Sequence, residues 1–382
     1  MKRIGILSFH GAHNYGSMLQ NYALQQAIKS LSTDYDPVTI NLRNKVQDDM
    51  YNIFKPLKDF QDKRRYLFKI AMLPWRSGIT AKQNLFEKFL KEKISLSEQV
   101  ASSGDIKSIP LFDAYVVGSD QIWNFTAHDF DWAYFLDFID SERRPLRIAY
   151  APSMGPSPSL KSLTVEDKLK AYKFLSQFDS ICVRETKTAD SIKELGKLAE
   201  VPQVCPDPTL LLDMECWESL IYGNAPLKSG KYIFLYNPYY LKDVYDQAKA
   251  MSKLTGLPIV VSNLAPKTIL PSRSFEKILE TGPIEFLNLV SNAEYVIGRS
   301  FHLAVFSMIF NKKFIAVNGM GDSRLGNFLS QIGMTECATN GDNLPNVIEM
   351  VNSISFDECN IRLKELRAKG YNFLRNSLKE LQ

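Results

Sequence analysis

The stretch that decides the fold is YVIGRSFHLAVFSMIFNKKFIAV, residues 295–317. A short apolar run predicts a strand that ends at Gly298, an apolar helix follows over residues 303–310, and a second strand begins at 314. Arg299 and His302 lie between the first strand and the helix. The N–H groups of a helix's first turn favour an anion, an arginine fits phosphate or carboxylate, and a histidine can move a proton near neutral pH. The stretch therefore predicts an α/β unit with an anion site; the alternative is a core helix with a surface arginine and a histidine satisfied in the core.

The composition is that of a globular protein with about two domains. The chain has 382 residues, of which 45% are hydrophobic and 23% charged, with a net charge of +4. Such a mild positive charge suits small anionic ligands or an anionic membrane surface better than nucleic acid. The five cysteines are scattered and show no CxxC spacing, so we expect neither a metal site nor a disulfide framework. We also expect no cofactor. The predicted location is the reducing cytoplasm, with possible binding at the inner face of the membrane.

The N-terminal strand, residues 4–8, leads into the polar loop HGAHNYG, residues 10–16, and then into a helix over 17–31. The loop lacks the Lys-Ser/Thr of a P-loop and is not GxGxxG, which argues against both nucleotide motifs. Open α/β sheets bind their ligands at the carboxyl ends of the strands. We therefore expect His10, His13, Asn14 and Tyr15 to face a ligand crevice; the alternative is a structural turn.

Two further loops follow apolar strands. The strand at 114–117 ends in Gly-Ser-Asp-Gln, where Asp120 is predicted to take protons from a hydroxyl or to hold it, beside Gln121. The strand at 178–183 ends at Arg184, which is a second arginine at a strand end. Both loops therefore add candidates to the same predicted ligand edge.

Residues 60–76 mix basic and aromatic side chains in a helical register. The favoured interpretation is a helix that packs across its domain. The alternative is an amphipathic surface helix that contacts an anionic membrane.

The pattern breaks between residues 212 and 231, and a second α/β half starts at Tyr232. We predict an N-terminal domain over 1–215, a C-terminal domain over 216–350, and a C-terminal helix within 351–382 that packs back on the first domain. The predicted fold class is α/β and GT-B-like, with two Rossmann-type domains facing across a cleft.

Several motifs, in this order along the chain, resemble those of the bacterial polysaccharide pyruvyl transferase family. They are SFHGAHNYG (8–16) with Leu19-Gln20, VVGSDQIWN (116–124), YAPSMG (150–155), VRE (183–185), DPTL (207–210) and GRSFH (298–302). The resemblance implies phosphoenolpyruvate as donor and a pair of sugar hydroxyls as acceptor, free or lipid-linked, joined as a pyruvate ketal on a surface polysaccharide or its precursor.

The resemblance assigns the donor residues, and the polar loops described above supply the candidates for the acceptor side. The family's donor-binding basic residues and histidine carry over to Arg184, Arg299 and His302, with Ser300 between the last two. Lys312 or Lys313 is a weaker candidate, and we choose Lys313. On the acceptor side we expect His10, Asn14, Tyr15 and Gln121 to bind the sugar. His302 would act as general acid or hold the phosphate, and Asp120 or His13 would act as base.

Two alternatives remain open at this point. The first is a GT-B glycosyltransferase that uses a nucleotide sugar, since it would share the fold and an arginine near the donor phosphates. The second is a binding protein of a polysaccharide locus that catalyses nothing. Binding of phosphoenolpyruvate, and not of uridine or guanosine nucleotides, would argue against the glycosyltransferase. Release of phosphate in the presence of an acceptor would argue against the protein that only binds.

Overall fold

The computed structural model describes residues 1–43, 63–109, 111–127, 129–139, 144–155, 160–341 and 344–381. Its strands are β1 (Lys2–Leu7), β2 (Tyr35–Leu42), β3 (Leu96–Val100), β4 (Ala114–Val117), β5 (Leu146–Ala149), β6 (Ser180–Val183), β7 (Gln203–Val204), β8 (Ile233–Leu235), β9 (Ile259–Val261), β10 (Glu276–Lys277), β11 (Tyr295–Gly298), β12 (Lys313–Val317) and β13 (Ala338–Thr339).

The α-helices that connect and cover these strands follow most of them in the chain. They are α1 (Tyr15–Leu31), α2 (Lys63–Met72), α3 (Arg76–Lys93), α4 (Val165–Leu175), α5 (Thr186–Gly196), α6 (Met214–Ile221), α7 (Lys242–Thr255), α8 (Pro266–Ile269), α9 (Pro283–Asn292), α10 (Phe301–Ile309), α11 (Ser323–Gln331), α12 (Leu344–Ser353) and α13 (Asp357–Leu378). Within the described residues, no helix has both the length and the apolar composition needed to cross a bilayer.

Each of two compact units is built on one parallel sheet. The first sheet has the order β3-β2-β1-β4-β5-β6-β7, and the second has the order β10-β9-β8-β11-β12-β13. Both follow the Rossmann pattern, in which the strand order reverses beside the first strand of the unit. That reversal leaves a crevice at the carboxyl edge, between β1 and β4 in one unit and between β8 and β11 in the other. The predicted α/β fold class is thus confirmed.

The first sheet separates two apolar layers because side chains alternate across each strand. On β4, Val116 lies in one layer and Val117 in the other. The layer that holds Val116 also contains Leu374 and Leu378 of α13, beside Ile28 of α1. Burial on both faces explains why these strands read as uninterrupted apolar runs.

The division into units differs in detail from the predicted domains. The first unit comprises residues 1–43, 90–212 and 365–381, and the second comprises 63–89 and 213–364 within the described ranges. The boundary therefore falls at 212/213, where Asp213 caps α6 by accepting a hydrogen bond from Cys216 N. Within the C-terminal segment predicted as 351–382, only the residues from 365 onward belong to the first unit.

The helix α2, and α3 as far as residue 89, belong to the second unit, although the predicted N-terminal domain included them. Met72 of α2 and Ile79 of α3 are buried together with Leu264 and Leu279, which follow strands of the second sheet. This burial of apolar side chains outweighs their position in the sequence. The part of the 60–76 prediction that concerns residues 60–62 lies outside the described residues.

Gly298 makes the crevice of the second unit possible. A Cβ atom at this position would lie 2.3 Å from the carbonyl oxygen of Tyr236 and 2.7 Å from a methyl group of Leu303. Because the carbonyl belongs to the backbone of the neighbouring strand's end, the contact cannot be relieved by rotating a side chain. The glycine therefore lets β11 end close against the segment that follows β8.

We predict that Gly298→Ala lowers the free energy of unfolding by about 1–3 kcal/mol, the usual cost of overpacking a close contact. Gly104→Ala is the matched control, because a Cβ atom there meets only the Ser102 hydroxyl oxygen at 3.6 Å. Urea unfolding of both variants measures the difference. Equal stability of the two variants would show that the second sheet tolerates a side chain at Gly298.

Candidate functional site

In the first unit, the loops after β1 and β4 meet through a hydrogen bond. Asn14 caps α1, since its side-chain oxygen accepts from Gly16 N at 2.9 Å and from Ser17 N at 3.4 Å. This places Ser17 in the first turn of the helix, where its hydroxyl donates to Asp120 Oδ2 at 2.7 Å. Sequence reasoning missed Ser17; its position directly after Gly16, at the start of a helix that follows a strand, was the available signal.

Asp120 is held in place by its backbone and by the residues after it. Its φ of 69° lies in the left-handed region, which aspartate tolerates better than most residues. Its carbonyl accepts from Ser153 N at 2.8 Å. Three residues later, Trp123 is fully buried, stacks on Phe135 at 5.1 Å and donates its indole N–H to Tyr134 O. The carboxylate therefore stands at the carboxyl edge of β4 on an anchored loop.

Arg184 is the centre of a buried ion cluster. Its Nε lies 2.8 Å from Glu185 Oε1, its Nη1 lies 2.8 Å from Asp207 Oδ2, and its Nη2 lies 3.8 Å from Asp120 Oδ1. The arginine side chain is only 3% exposed. Asp207 also accepts hydrogen bonds from the backbone N and the hydroxyl of Thr209. The cluster thus ties together the loops after β4, β6 and β7.

The partners of Arg184 give it a structural role in addition to the predicted one. Burial by itself would lower the pKa of the guanidinium, but the carboxylates of Glu185, Asp207 and Asp120 raise it well above its ordinary value. Arg184 is therefore a buried cation that neutralises carboxylates, and its predicted role in binding the donor phosphate stays a prediction. The sequence shows a basic residue at a strand end, but it does not show which carboxylates surround it.

Two of the predicted acceptor residues are buried in the first unit. His10 is 1% exposed, and its ring nitrogens contact the carbonyl oxygen of Ser8 at 3.2 Å and the side-chain oxygen of Asn41 at 3.0 Å. Tyr15 is equally buried, as part of the core under α1. Both residues therefore support the loop from within instead of facing a ligand, and we correct their predicted roles accordingly.

The other predicted residues of this edge are half-buried. Asn14 serves as the helix cap. Gln121 accepts a hydrogen bond from Asn124 Nδ2 at 3.1 Å. His13 lies in the loop after β1, which is the strand next to β4. Asp120, Ser17, Gln121 and His13 thus share the carboxyl edge at the crevice of the first unit.

In the second unit, Arg299 lies at the crevice between β8 and β11. Its backbone N donates to the side-chain oxygen of Asn237, which follows β8, at 3.2 Å. Its guanidinium lies against Gly321, where a Cβ atom would be 3.4 Å from Arg299 Nη2. The side chain is therefore directed toward the glycine-rich turn that follows β12, residues 318–322.

The first turn of α10 carries the other predicted donor residues. Ser300 caps the helix, and its hydroxyl oxygen accepts from Leu303 N at 3.5 Å. His302 is half-buried, and its ring meets the ring of Phe301 edge-on at 5.2 Å. Phe301 also packs on Phe328 of α11. The structure thus brings Arg299 and His302 together at one helix N-terminus, as predicted, and gives Ser300 the role of a cap.

Arg324, which sequence reasoning missed, lies in the first turn of α11. Its Nη2 is 3.4 Å from Asp322 Oδ2, while its buried Nε has no hydrogen-bond partner within the described residues. Asp322 caps α11, accepting from Arg324 N and Leu325 N. Burial alone would raise the pKa of Asp322, but Arg324 and these N–H donors hold it below its ordinary value. A basic residue just after the glycine-rich turn was the available signal.

Lys313 does not belong to this site. It opens β12 in register with Tyr295, at the amino end of the parallel pair, whereas Arg299 follows the carboxyl end of β11. Its ammonium group lies 2.9 Å from Glu294 Oε1. Lys313 and Arg299 therefore stand at opposite edges of the sheet, which argues against the prediction that Lys313 binds the donor beside Arg299. Across the described ranges, no three His, Cys, Asp or Glu side chains cluster as metal ligands.

Comparison with solved structures defines the class of fold. The chain is similar to a UDP-N-acetylglucosamine 2-epimerase (12% identity, 100% of this chain and 95% of that chain, TM-score 0.56). It is also similar to the S. aureus MnaA solved with UDP (11%, 96% and 91%, TM-score 0.52) and to the UDP-GlcNAc 2-epimerase of Methanocaldococcus jannaschii (12%, 94% and 94%, TM-score 0.51). At these identities the similarity concerns the fold alone, which is of the GT-B class.

Comparison with family models goes further than the fold. Residues 14–319 match the polysaccharide pyruvyl transferase model. The chain therefore belongs to the polysaccharide pyruvyl transferase family, which confirms the resemblance seen in the motifs. A comparison with proteins of curated function found no match.

We predict that Arg184→Met lowers the free energy of unfolding by about 3–5 kcal/mol, because it leaves buried carboxylates without their counter-charge. Lys242→Met, which removes a fully exposed ion pair with Asp246, is the control and should leave stability nearly unchanged. Urea unfolding at neutral pH measures both. If Arg184→Met is as stable as the control, the ion cluster does not hold the first unit together.

Proposed function

We propose that the chain transfers the enolpyruvate-derived group of phosphoenolpyruvate to two hydroxyls of one sugar, forming a pyruvate ketal and releasing phosphate. The acceptor is a polysaccharide of the cell surface or capsule, or its lipid-linked precursor. Family membership supports the reaction class. The single observation that carries the donor assignment is the pair of arginines at the N-termini of α10 and α11, which follow the neighbouring parallel strands β11 and β12.

Phosphoenolpyruvate carries a phosphate and a carboxylate, so its site needs more than one cationic group. Arg299 and Arg324 flank the turn at residues 319–321. The first-turn N–H groups of α10 and α11 add further donors at the same edge. The buried Nε of Arg324 gains an acceptor when an anion binds, which removes the cost of burying an unpaired donor. Arg324 thus takes the place that the sequence analysis gave to Arg184.

Ketal formation requires protons to move in both directions. One proton is added to the methylene carbon of the donor, a first hydroxyl attacks C2, phosphate leaves from C2, and the second hydroxyl attacks the same carbon. Of the two hydroxyl protons lost, one balances the proton gained by carbon and the other leaves with phosphate. Arginine stays protonated and cannot exchange these protons, so we assign the donor-side transfer to His302.

On the acceptor side we assign the general base to Asp120. Its carboxylate accepts from Ser17 Oγ and lies near Arg184, so it is oriented by two partners while 13% of the side chain stays exposed. His13, in the neighbouring loop, is the second candidate for the same step. Gln121 and Asn14 present amide groups at this edge that suit sugar hydroxyls.

The reaction is tested by incubating the protein with phosphoenolpyruvate and a panel of free and lipid-linked glycans. We expect phosphate release together with a glycan product whose mass has increased by one pyruvate ketal. Thermal stabilisation by uridine or guanosine nucleotides, with none by phosphoenolpyruvate, would favour a glycosyltransferase instead. Donor binding without phosphate release from any acceptor would favour a protein that only binds.

We predict that Arg299→Gln and Arg324→Gln each weaken phosphoenolpyruvate binding by at least about tenfold, because each removes a charge-assisted hydrogen bond. Arg362→Gln is the matched control in the same unit; its guanidinium pairs with Glu358 on the exposed side of α13. Calorimetric titration measures the dissociation constants. Unchanged affinity in both variants would show that the donor does not bind at this edge of the sheet.

We predict that His302→Gln and Asp120→Asn lower the turnover number by about 10²–10⁴-fold, the usual contribution of a general acid or base. Phosphoenolpyruvate affinity should stay within about threefold in Asp120→Asn, because that residue belongs to the acceptor side. Single-turnover phosphate release and donor titration separate the two effects. Full turnover in His302→Gln with intact donor binding would show that another group supplies the proton.

A further inference from the structure

The glycine-rich turn at residues 318–322 begins with a residue that is not glycine. Asn318 has a φ of 49°, in the left-handed region that glycine adopts without strain and that asparagine tolerates better than most other residues. Its backbone N donates to Thr339 O at 2.7 Å, and its carbonyl oxygen accepts from Gly321 N at 3.1 Å. A glycine would satisfy this backbone equally well, so the side chain of Asn318 needs a separate explanation.

The side chain of Asn318 binds an acid from a different part of the second unit. Its Nδ2 donates to Asp243 Oδ2, and the other carboxylate oxygen of Asp243 accepts from Val244 N at 3.0 Å. Asp243 lies in the first turn of α7, which packs against β11 and β12. The hydrogen bond therefore joins the turn after β12 to the helix that follows β8.

The segment that leads from β8 into α7 also holds Arg299. Asn237 is 5% exposed, and its side-chain oxygen accepts from Arg299 N at 3.2 Å. The amide nitrogen of Asn237 donates to Tyr239 O, within the same segment. Residues 237–243 therefore bind Arg299 at one end and, through Asp243, the glycine-rich turn at the other.

The glycine-rich turn contacts both arginines of the proposed donor site. A Cβ atom on Gly321 would lie 3.4 Å from Arg299 Nη2, so this guanidinium lies directly against the turn. The turn ends at Asp322, whose carboxylate caps α11 and lies 3.4 Å from Arg324 Nη2. A shift of Asn318, the first residue of the turn, therefore changes the spacing of the two guanidinium groups.

We propose that Asp243 is a positioning residue of this anion site. By holding Asn318 it fixes the glycine-rich turn, and the turn fixes the spacing of the Arg299 and Arg324 guanidinium groups. The inference rests on the proposed function, since it takes phosphoenolpyruvate as the anion that the two arginines bind. Because a carboxylate repels an anion, Asp243 acts through the turn and not by contact with the ligand.

Calorimetric titration of the full chain with two probes, phosphoenolpyruvate and inorganic phosphate, is the test. We expect Asp243→Ala to weaken the binding of both probes by about tenfold, the size of one hydrogen bond to a charged group. Loss of a negative charge alone would strengthen anion binding, so a purely electrostatic effect has the opposite sign. Asp243→Asn keeps an oxygen that accepts from Asn318, and it should bind both probes within about threefold of the parent chain.

Asp246→Ala is the matched control. It removes a carboxylate from the same helix, and that carboxylate pairs with the exposed Lys242 instead of the glycine-rich turn. We expect this variant to bind both probes within about twofold of the parent chain.

A double-mutant cycle separates positioning from a general loss of structure. Asn318→Gly removes the amide but keeps a residue that adopts the left-handed region, and it should weaken binding as much as Asp243→Ala. Because both substitutions break the same hydrogen bond, the double variant should bind no more weakly than either single variant. All variants are compared at a temperature at which circular dichroism shows each of them to be folded.

The two probes distinguish a failure of this inference from a failure of the proposed function. If Asp243→Ala binds both anions as tightly as the parent chain, or if the losses add in the double variant, Asp243 does not position the site. If inorganic phosphate shows the expected losses but the parent chain does not bind phosphoenolpyruvate, the proposed donor is wrong and the role of Asp243 at an anion site stands. If the parent chain binds neither anion, both proposals are wrong.

Discussion

The reversal of strand order in each parallel sheet is the constraint on which the site residues depend. The connections that follow the two central parallel strands lead to opposite sides of the sheet. The carboxyl ends of these strands therefore stay uncovered, and polar groups lie there. Ser17 and Asp120 meet at this edge in the first unit, and Arg299 and Asn237 meet at it in the second. Gly298 permits the second meeting, since any side chain there would strike the backbone after β8. The chemistry of the chain is thus concentrated at two edges that its topology leaves open.

Charge at these edges is handled in two ways. Arg184 is buried and is neutralised by carboxylates, and its ion pairs connect three loops. Arg324 keeps a buried N–H group without an acceptor among the described residues and shares only one longer contact with Asp322. An anion would stabilise the second arrangement and would have to compete with buried carboxylates in the first. This difference supports the proposal that the second unit binds the donor and that Arg184 positions Asp120 in the first.

The central strands could be predicted from the sequence because burial on both faces makes them apolar runs that end at glycine, as at Gly118 and Gly298. The edge strands β3, β10 and β13 could not be predicted from the apolar pattern, because each is short and carries exposed or half-exposed residues. The second-unit location of α2 and α3 depends on contacts of Met72 and Ile79 with distant residues. For the same reason the sequence could not separate Arg184 from Arg299: an arginine's role follows from its partners, and Asp207 and Asp120 come from other loops. The sequence also could not show that Lys313 and Arg299 lie at opposite edges of the sheet, because that depends on the register of β12 with β11.

The central claim is that the donor anion binds at the N-termini of α10 and α11 and not at the Arg184 cluster. The most direct measurement is a crystal structure of the protein with phosphoenolpyruvate. We expect density for the phosphate or carboxylate within hydrogen-bonding distance of Arg299, Arg324 and the first-turn N–H groups of these helices. Phosphoenolpyruvate held by the guanidinium of Arg184, with nothing bound at Arg299, would contradict it.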